Sequence, residues 1–313
     1  MNKIAFVFPG QGSQKVGMGQ DVSATYPEAK AVFEKADAKL GFSLTDIITE
    51  GPIELLTKSE NAQPALVATS VAILRALETA GIKADYAIGH SLGEYSALVA
   101  AGFLSEEDAI YLVHERGKLM EAAVPDGAGA MAAVLGLDAE TIEHVTAEIA
   151  KSEPVQIANY NCPGQIVISG TKAGIDKAAE ELKAAGAKRV MPLAVSGPFH
   201  SALMKPAAEK FGAVLKTVTL LDGDIPVVNN VDAEPLTDKA LLEDKLIRQI
   251  YSPVRFEQSV EALIEAGVDT FVEIGAGKVA SGLVKKINRE VKVLNAFDLE
   301  SLEAVIAELK GGK

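Results

Sequence analysis

Two spacings of apolar residues alternate along the first part of the chain. The short apolar run Ile4–Phe8, followed by a Pro-Gly pair, is typical of a buried strand. The longer segments Tyr26–Leu40 and Gln63–Ala80 favour helices, and Tyr86–Ile88 favours another short strand. Strands that alternate with helices in this way predict an α/β fold with a largely parallel sheet.

The pattern changes at about Gly129, where strand and helix signals follow the order βαββαβ. The segments in this order are Met131–Leu137, Ala139–Ala150, Val155–Ala158, Gln165–Ser169, Ile175–Ala185 and Arg189–Val195. This order is ferredoxin-like and predicts a small inserted domain.

The α/β alternation resumes after Ser196. Strands are expected near Ile225–Asn229 and Thr270–Ile274, and helices near Ser259–Ala266 and Val279–Ile287. The sequence therefore predicts a discontinuous large α/β domain, residues 1–127 and 197–313, interrupted by a small domain, residues 128–196.

Composition limits the class of protein. The 313 residues are 48% hydrophobic and 23% charged, which is enough to bury a large core. A net charge of -13 argues against nucleic-acid binding, since phosphate contacts need clustered Lys and Arg. The single cysteine, Cys162, excludes an internal disulfide and offers no metal cluster.

No segment of the sequence has the character of a membrane span or a signal peptide. Apolar stretches fall short of the roughly 18 residues that a span requires. The run Ile4–Phe8 is shorter than a signal-peptide core of about 7 to 15 residues. We therefore expect a cytoplasmic protein without membrane contact.

The segment Gly89-x-Ser91-x-Gly93 lies between the strand Tyr86–Ile88 and a helical run, Leu92–Ala101, which is the context of a nucleophile elbow. Glycines allow a tight turn that presents the serine hydroxyl, and the helix N-terminus places amide donors beside it. The backbone N–H of Leu92 is the natural first oxyanion donor. The alternative is an ordinary serine N-cap.

A serine nucleophile needs a base, and the sequence offers four histidines. His90 adjoins the serine and is expected to be a packing or supporting residue. His144 lies beside Glu143 on a solvated helix face, and His114 shares the polar side of its helix with Glu115 and Lys118. His200 lies in a Gly/Pro loop, Ser196–Ser201, where catalytic side chains often occur. We expect His200 to be the base, the alternative being a structural histidine.

Arg116 is the charged residue that says most about the substrate. Its helix begins with the capping pattern Ser105–Asp108, and Arg116 falls on the apolar stripe of that helix. A guanidinium on a buried face binds anions, and its planar fork suits a carboxylate. The alternatives are a snorkelling side chain and a structural ion pair.

The loop Gly10-Gln11-Gly12 follows the first strand. A dinucleotide fingerprint would need glycine at position 15, which is Lys15. The loop can instead supply a second backbone N–H to an oxyanion.

Several motifs together resemble those of the bacterial malonyl-CoA:acyl carrier protein transacylases. They are Gly10-Gln11-Gly12-Ser13-Gln14, Gly89-His90-Ser91-Leu92-Gly93-Glu94, Arg116, Asn161 to Gly170, and His200. The likeness runs from about Lys3 to Asp298. It implies an α/β-hydrolase-like core with a ferredoxin-like insert, in agreement with the pattern of elements.

The resemblance also implies roles for individual residues. Ser91 would be the nucleophile, His200 its base, and Arg116 the clamp for the malonyl carboxylate. The resemblance assigns the oxyanion donors to the N–H groups of Gln11 and Leu92, the orientation of His200 to the Gln249 carbonyl, and the pocket lining to Gln63, Met120, Asn159 and Asn161. Phe199 resembles the malonyl-selecting version of its loop, in which a smaller residue goes with methylmalonyl.

The implied activity is malonyl transfer from malonyl-CoA to the phosphopantetheine thiol of acyl carrier protein, for fatty acid biosynthesis. It would follow a ping-pong course through a malonyl-Ser91 ester, without metal or other cofactor. A serine hydrolase or thioesterase, with Asp108 or Asp126 as acid partner, and a non-catalytic binding protein are the alternatives.

Acyl carrier proteins are acidic, so docking on a chain of net charge -13 requires a local basic face. The best clusters are Lys188 with Arg189, and Lys285 and Lys286 with Arg289. An ordinary solvated helix face explains them equally well.

Overall fold

Eleven strands form two sheets in the computed structural model, which describes residues 2–195 and 197–311. The strands are β1 (Lys3–Phe8), β2 (Tyr86–Gly89), β3 (Gly129–Leu135), β4 (Val155–Cys162), β5 (Gln165–Thr171), β6 (Arg189–Pro192), β7 (Val227–Val228), β8 (Pro235–Leu236), β9 (Val254–Arg255), β10 (Val268–Ile274) and β11 (Lys292–Ala296).

Fourteen α-helices accompany these strands in the described residues. They are α1 (Gln20–Thr25), α2 (Pro27–Leu40), α3 (Leu44–Glu50), α4 (Ile53–Thr57), α5 (Ser59–Thr79), α6 (Gly93–Ala100), α7 (Glu106–Ala122), α8 (Ala139–Ile149), α9 (Lys172–Ala184), α10 (Lys205–Leu215), α11 (Leu242–Gln249), α12 (Phe256–Glu265), α13 (Val279–Ile287) and α14 (Leu299–Gly311). None of them is long and apolar enough to cross a membrane.

The larger sheet has the order β11-β10-β1-β2-β7-β8, and all its pairs are parallel except β7 with β8. The prediction of an α/β fold with a largely parallel sheet is confirmed. Since β1, β2 and β7 are parallel neighbours, their carboxyl ends meet at one edge, where ligands bind in open α/β sheets. The loops after these strands begin at Pro9, His90 and Asn229.

Helix α5 lies at the centre of the main hydrophobic core. It is buried along nearly its whole length and packs against α2, α6 and α7. The run Leu66–Leu74 is apolar except for Thr69 and Ser70, and a helix with apolar residues on every side must be buried. Helix α7 begins as predicted, because the Ser105 hydroxyl accepts a hydrogen bond from the Asp108 N–H at 3.1 Å.

The smaller sheet has the order β6-β3-β5-β4-β9. Its first four strands are antiparallel and, with α8 and α9, have the ferredoxin-like order predicted from the sequence. The two-residue strand β9 pairs in parallel with β4, so the later part of the chain extends this sheet. The division into domains at residues 128 and 196 stays a prediction.

Several element boundaries differ from those expected. Strand β6 ends at Pro192 rather than Val195, because the Val195 N–H donates to the Leu193 carbonyl oxygen at 3.0 Å and this local turn takes the chain out of the ladder. Strand β4 continues to Cys162, beyond its expected end at Ala158, because it stays paired with β5 as far as Gln165. Met1, Ser196, Gly312 and Lys313 lie outside the described residues, and with them the exact start of the predicted catalytic loop and the end of the chain.

Candidate active site

Ser91 lies on the sharp turn between β2 and α6, in left-handed backbone with a φ of 54°. A Cβ on Gly89 would lie 2.0 Å from the carbonyl carbon of Gly93, and one on Gly93 would lie 2.4 Å from the carbonyl oxygen of Phe8. Both positions therefore require glycine. The N-cap of α6 is Leu92, so Ser91 is not an ordinary capping serine. The strand–turn–helix arrangement predicted around Ser91 is confirmed, and the role of Ser91 as nucleophile stays a prediction.

The His200 imidazole is held between the Ser91 hydroxyl and a backbone carbonyl. Its Nε2 lies 2.8 Å from Ser91 Oγ, and its Nδ1 lies 2.9 Å from the carbonyl oxygen of Gln249. Because a carbonyl only accepts, Nδ1 carries the proton of the neutral ring and Nε2 presents its lone pair to the hydroxyl. In this tautomer an imidazole can take a proton from serine.

Arg116 completes a ring of hydrogen bonds around the serine, and only 1% of its surface is exposed. Its Nη2 donates to Ser91 Oγ at 3.1 Å and to Gln249 Oε1 at 2.9 Å, and its Nη1 donates to Gln63 Oε1 at 2.7 Å. Its Nε is buried and has no partner in the described residues. The guanidinium fork therefore points at the Ser91 hydroxyl, and its hydrogen-bond partners are neutral.

Burial and positive charge keep His200 neutral. Burial lowers the pKa of His200, and the charge of Arg116 lowers it further, to about 3. Burial raises the pKa of Glu94 to about 7, although the hydrogen bond from the Asn230 backbone N–H and the charge of Arg116 both lower it. Since an arginine stays protonated, the dominant fixed charge beside Ser91 at neutral pH is the Arg116 guanidinium.

A cavity of about 690 Å³ opens above Ser91, His200 and Arg116. The predicted residues that line it are Gln11, Gln63, Met120, Asn159, Asn161 and Phe199. Leu92 and Gln249 are buried and do not line it; Gln249 lies behind Ser91 and Arg116. The structure therefore brings these predicted residues together around one pocket. Its lining also includes exposed apolar residues such as Ile53 and Val279.

Among the described residues, the side chains of the other three histidines form no hydrogen bond with Ser91. His90 donates from Nε2 to Asn161 Oδ1 at 2.8 Å and packs against Phe256, as expected for a supporting residue. His144 is exposed on α8. His114 is half-buried, on the same side of α7 as the ion pair of Glu115 and Lys118, and its Nδ1 lies 2.7 Å from the Glu60 carbonyl oxygen.

The two basic clusters lie at one end of the smaller sheet. Arg189 pairs with Leu135, and Leu135 pairs with Gln165 on the next strand. Lys286 Nζ lies 3.5 Å from Gln165 Oε1, which connects α13 to the same edge. The members are exposed, namely Lys188, Arg189, Lys285, Lys286 and Arg289. These residues are called the basic edge below.

Two residues near the site carried no role in the sequence analysis. Glu94 is 1% exposed and accepts hydrogen bonds from the Asn230 N–H at 2.8 Å and from Gln249 Nε2 at 2.8 Å. Asn230 follows β7, so its polar side chain at the carboxyl end of a parallel strand was a usable signal. The sequence signal for Glu94 was weaker, because it was only an acidic residue in a mainly apolar helix.

Comparison with known proteins gives the same assignment along almost the whole chain. The family model "Acyl transferase domain" matches residues 5–307. The malonyl CoA-acyl carrier protein transacylase of Bacillus subtilis (strain 168) is 55% identical over 99% of this chain and 98% of its own length. The enzyme of the same name from Staphylococcus aureus (strain MRSA252) is 48% identical over 97% and 98%.

Solved structures agree with the fold. An acyl carrier protein S-malonyltransferase from Vibrio cholerae is 46% identical, covers 97% of this chain and 100% of its own, and has a TM-score of 0.95. A malonyl-transacylase in complex with a type II PKS acyl-carrier protein is 45% identical over 98% and 100%, also with a TM-score of 0.95. The chain therefore belongs to the acyl transferase family, among the malonyl CoA-acyl carrier protein transacylases.

Proposed function

We propose that this chain transfers the malonyl group of malonyl-CoA to the phosphopantetheine thiol of acyl carrier protein. The observation that carries the proposal is the buried Arg116 fork, bonded to the hydroxyl of Ser91 and paired with neutral groups. An acyl group on Ser91 that bears its own carboxylate would supply the missing counter-ion. The names of the relatives support the same substrates.

In the first half-reaction, Ser91 Oγ attacks the thioester carbonyl while its proton passes to His200 Nε2. The N–H groups of Gln11 and Leu92 stabilise the oxyanion, in the proposed assignment. The C–S bond then breaks, and CoA leaves with the proton from His200. The carbonyl of Gln249 holds the imidazole throughout, so a carboxylate is not needed for its orientation.

The second half-reaction reverses these steps with another thiol. The carrier protein's phosphopantetheine thiol gives its proton to His200 and attacks the malonyl-Ser91 ester. The C–O bond to Ser91 breaks, and Ser91 recovers the proton. No metal or cofactor beyond the CoA thioester takes part in this scheme. We assign the reaction to the cytoplasm and its product to fatty acid biosynthesis.

In this proposal, the residues that line the pocket select the size and polarity of the acyl group. Met120 and Phe199 provide apolar walls, and Gln63, Asn159 and Asn161 provide polar ones. The basic edge offers the docking face for the acidic carrier protein.

The hydrolase alternative lacks support from the two acids considered for it. Asp108 pairs with Lys39 at 3.4 Å, and Asp126 is exposed, while His200 Nδ1 is occupied by the Gln249 carbonyl. The test is to incubate the protein with malonyl-CoA and carrier protein bearing its phosphopantetheine arm. We expect malonyl-carrier protein as the main product; free malonate as the main product would identify a hydrolase.

A further inference from the structure

Three non-glycine residues in the described chain have positive φ, and two of them are the proposed nucleophile and base. The angles are 54° at Ser91, 55° at His200 and 59° at Ala233. Left-handed backbone is unfavourable for residues with a Cβ and persists only where the surroundings impose it. The contacts that impose it at Ser91 and His200 therefore fix the geometry of the proton transfer.

The side-chain amide of Asn230 spans the Ser91 turn. Its Oδ1 accepts a hydrogen bond from the Ser91 N–H at 2.8 Å, and its Nδ2 donates to the carbonyl oxygen of Gly89 at 2.7 Å. Asn230 is fully buried. Its own backbone is fixed, because its N–H donates to Glu94 Oε1 at 2.8 Å and its carbonyl accepts from the Arg255 N–H at 3.0 Å.

The side-chain amide of Gln156 spans the His200 turn in a similar way. Its Nε2 donates to the His200 carbonyl oxygen at 3.3 Å, and its Oε1 accepts from the Ala202 N–H at 2.9 Å. Gln156 lies on β4, in the smaller sheet, whereas Asn230 follows β7 of the larger sheet. Each sheet thus supplies one amide to one turn.

We propose that Asn230 and Gln156 are positioning residues, which hold Ser91 and His200 in the backbone conformation that sets their 2.8 Å contact. The proposal rests on the proposed acyl transfer, in which that contact carries the proton. Neither residue lines the cavity, so neither is placed to touch substrate. A misplacement of about 1 Å between reacting groups can lower the rate about a hundredfold.

The experiment compares near-isosteric variants that cannot make these hydrogen bonds, Asn230→Leu and Gln156→Met. The rate of Ser91 malonylation is measured in single turnovers over a range of malonyl-CoA concentrations. We expect the maximal rate to fall about 10- to 100-fold while half-saturation is unchanged, since the pocket lining is intact. Gln156→Glu keeps the acceptor for Ala202 and should recover part of the rate.

Asn229 provides a matched control for loss of a buried amide. It stands beside Asn230 and holds the third left-handed turn, with Nδ2 donating to the Glu234 carbonyl oxygen at 2.8 Å. We expect Asn229→Leu to lower the free energy of unfolding but to keep the malonylation rate. An equal slowing in Asn229→Leu and Asn230→Leu would overturn the proposal for Asn230.

Two further outcomes distinguish the positioning role from a folding defect and from failure of the proposed function. If Asn230→Leu does not fold, Gln156→Met decides alone, and its full activity would contradict the proposal. Fluorophosphonate labelling of Ser91 needs no malonyl group, so it reports serine activation directly. Slower labelling in both variants with no malonylation of the wild type would reject the function and support the positioning role.

Discussion

Helix α7 buries two charged side chains in opposite ways. At its first residue, Glu106 has a side chain that is 7% exposed and accepts hydrogen bonds from Lys35 Nζ at 2.8 Å and Arg75 Nε at 2.9 Å. Further along the same helix, Arg116 is more deeply buried, yet no described carboxylate forms an ion pair with it.

The difference distinguishes a charge that serves the fold from one that awaits a ligand. A buried ion usually has a counter-ion, because desolvation is costly. Glu106 meets this rule within the protein. Arg116 instead bonds amide and hydroxyl oxygens, and the Gln249 amide separates it from the partly ionised Glu94 carboxyl. In the proposed function its ion-pair partner is therefore the substrate carboxylate. Changes at Arg116, His200 and Glu106 test this contrast.

The largest effect is expected at Arg116. Arg116→Met should lower malonyl transfer by on the order of 30- to 5,000-fold, since loss of one member of a buried charge pair costs roughly 2–5 kcal/mol. Transfer of acetyl, which has no carboxylate, should fall much less. Rates with malonyl-CoA and acetyl-CoA measure the contrast, and equal losses would make Arg116 a structural residue.

The second prediction concerns the protonation of His200. Because its pKa is lowered to about 3 by burial and by Arg116, the imidazole should stay neutral in the free protein at pH 5. An ordinary histidine, with a pKa of about 6.5, would be almost fully protonated there. Nitrogen chemical shifts of the His200 ring decide between the two states. In Arg116→Met the pKa should rise.

The third prediction concerns stability at the other end of α7. Glu106→Gln should lower the free energy of unfolding by about 1–2 kcal/mol, a modest value because Lys35 and Arg75 are partly exposed. Malonyl transfer should be unchanged. Chemical denaturation and the transfer assay on the same sample measure both quantities.

The pH dependence of that loss has a definite sign. Burial alone would raise the pKa of Glu106, but the hydrogen bonds and charges of Lys35 and Arg75 outweigh it and lower the pKa. The stabilisation is therefore present above the unfolded pKa of about 4.3 and lost as the pH falls through the lower folded pKa. The difference between wild type and Glu106→Gln should shrink in acid; a constant difference would contradict the ion-pair account.

The smallest effect is expected at the basic edge. Arg189→Glu and Lys286→Glu together should raise the KM for carrier protein several-fold and weaken its salt dependence, because exposed charges act mainly on encounter. The KM for malonyl-CoA serves as the internal control. An unchanged KM for carrier protein would remove the basic edge as its docking face.

The sequence predicted the elbow at Ser91 and the helix of Arg116 because both depend on local order. The turn at Ser91 depends on glycines at positions 89 and 93, and the helix of Arg116 depends on the apolar stripe along α7. Both patterns lie within a few neighbouring residues of the sequence. The order of strands in the ferredoxin-like unit was predictable for the same reason. The role of the Gln249 carbonyl came only from the resemblance.

Asn230 and Gln156, which sequence reasoning missed, act across long separations along the chain. Asn230 lies 139 positions from Ser91, and Gln156 lies 44 from His200, so no local pattern connects them. Strand β9 has two residues, too few for a periodicity, although it joins the later chain to the smaller sheet. Such contacts follow from the tertiary fold, which sequence spacing does not encode.

The most direct test of the central claim is the intact mass of the protein after mixing with malonyl-CoA alone. We predict that the wild type gains one malonyl group, on the peptide that contains Ser91. Ser91→Ala should gain none, and Arg116→Met should gain it far more slowly. An unmodified wild-type protein, or equal labelling of the wild type and Ser91→Ala, would contradict the account.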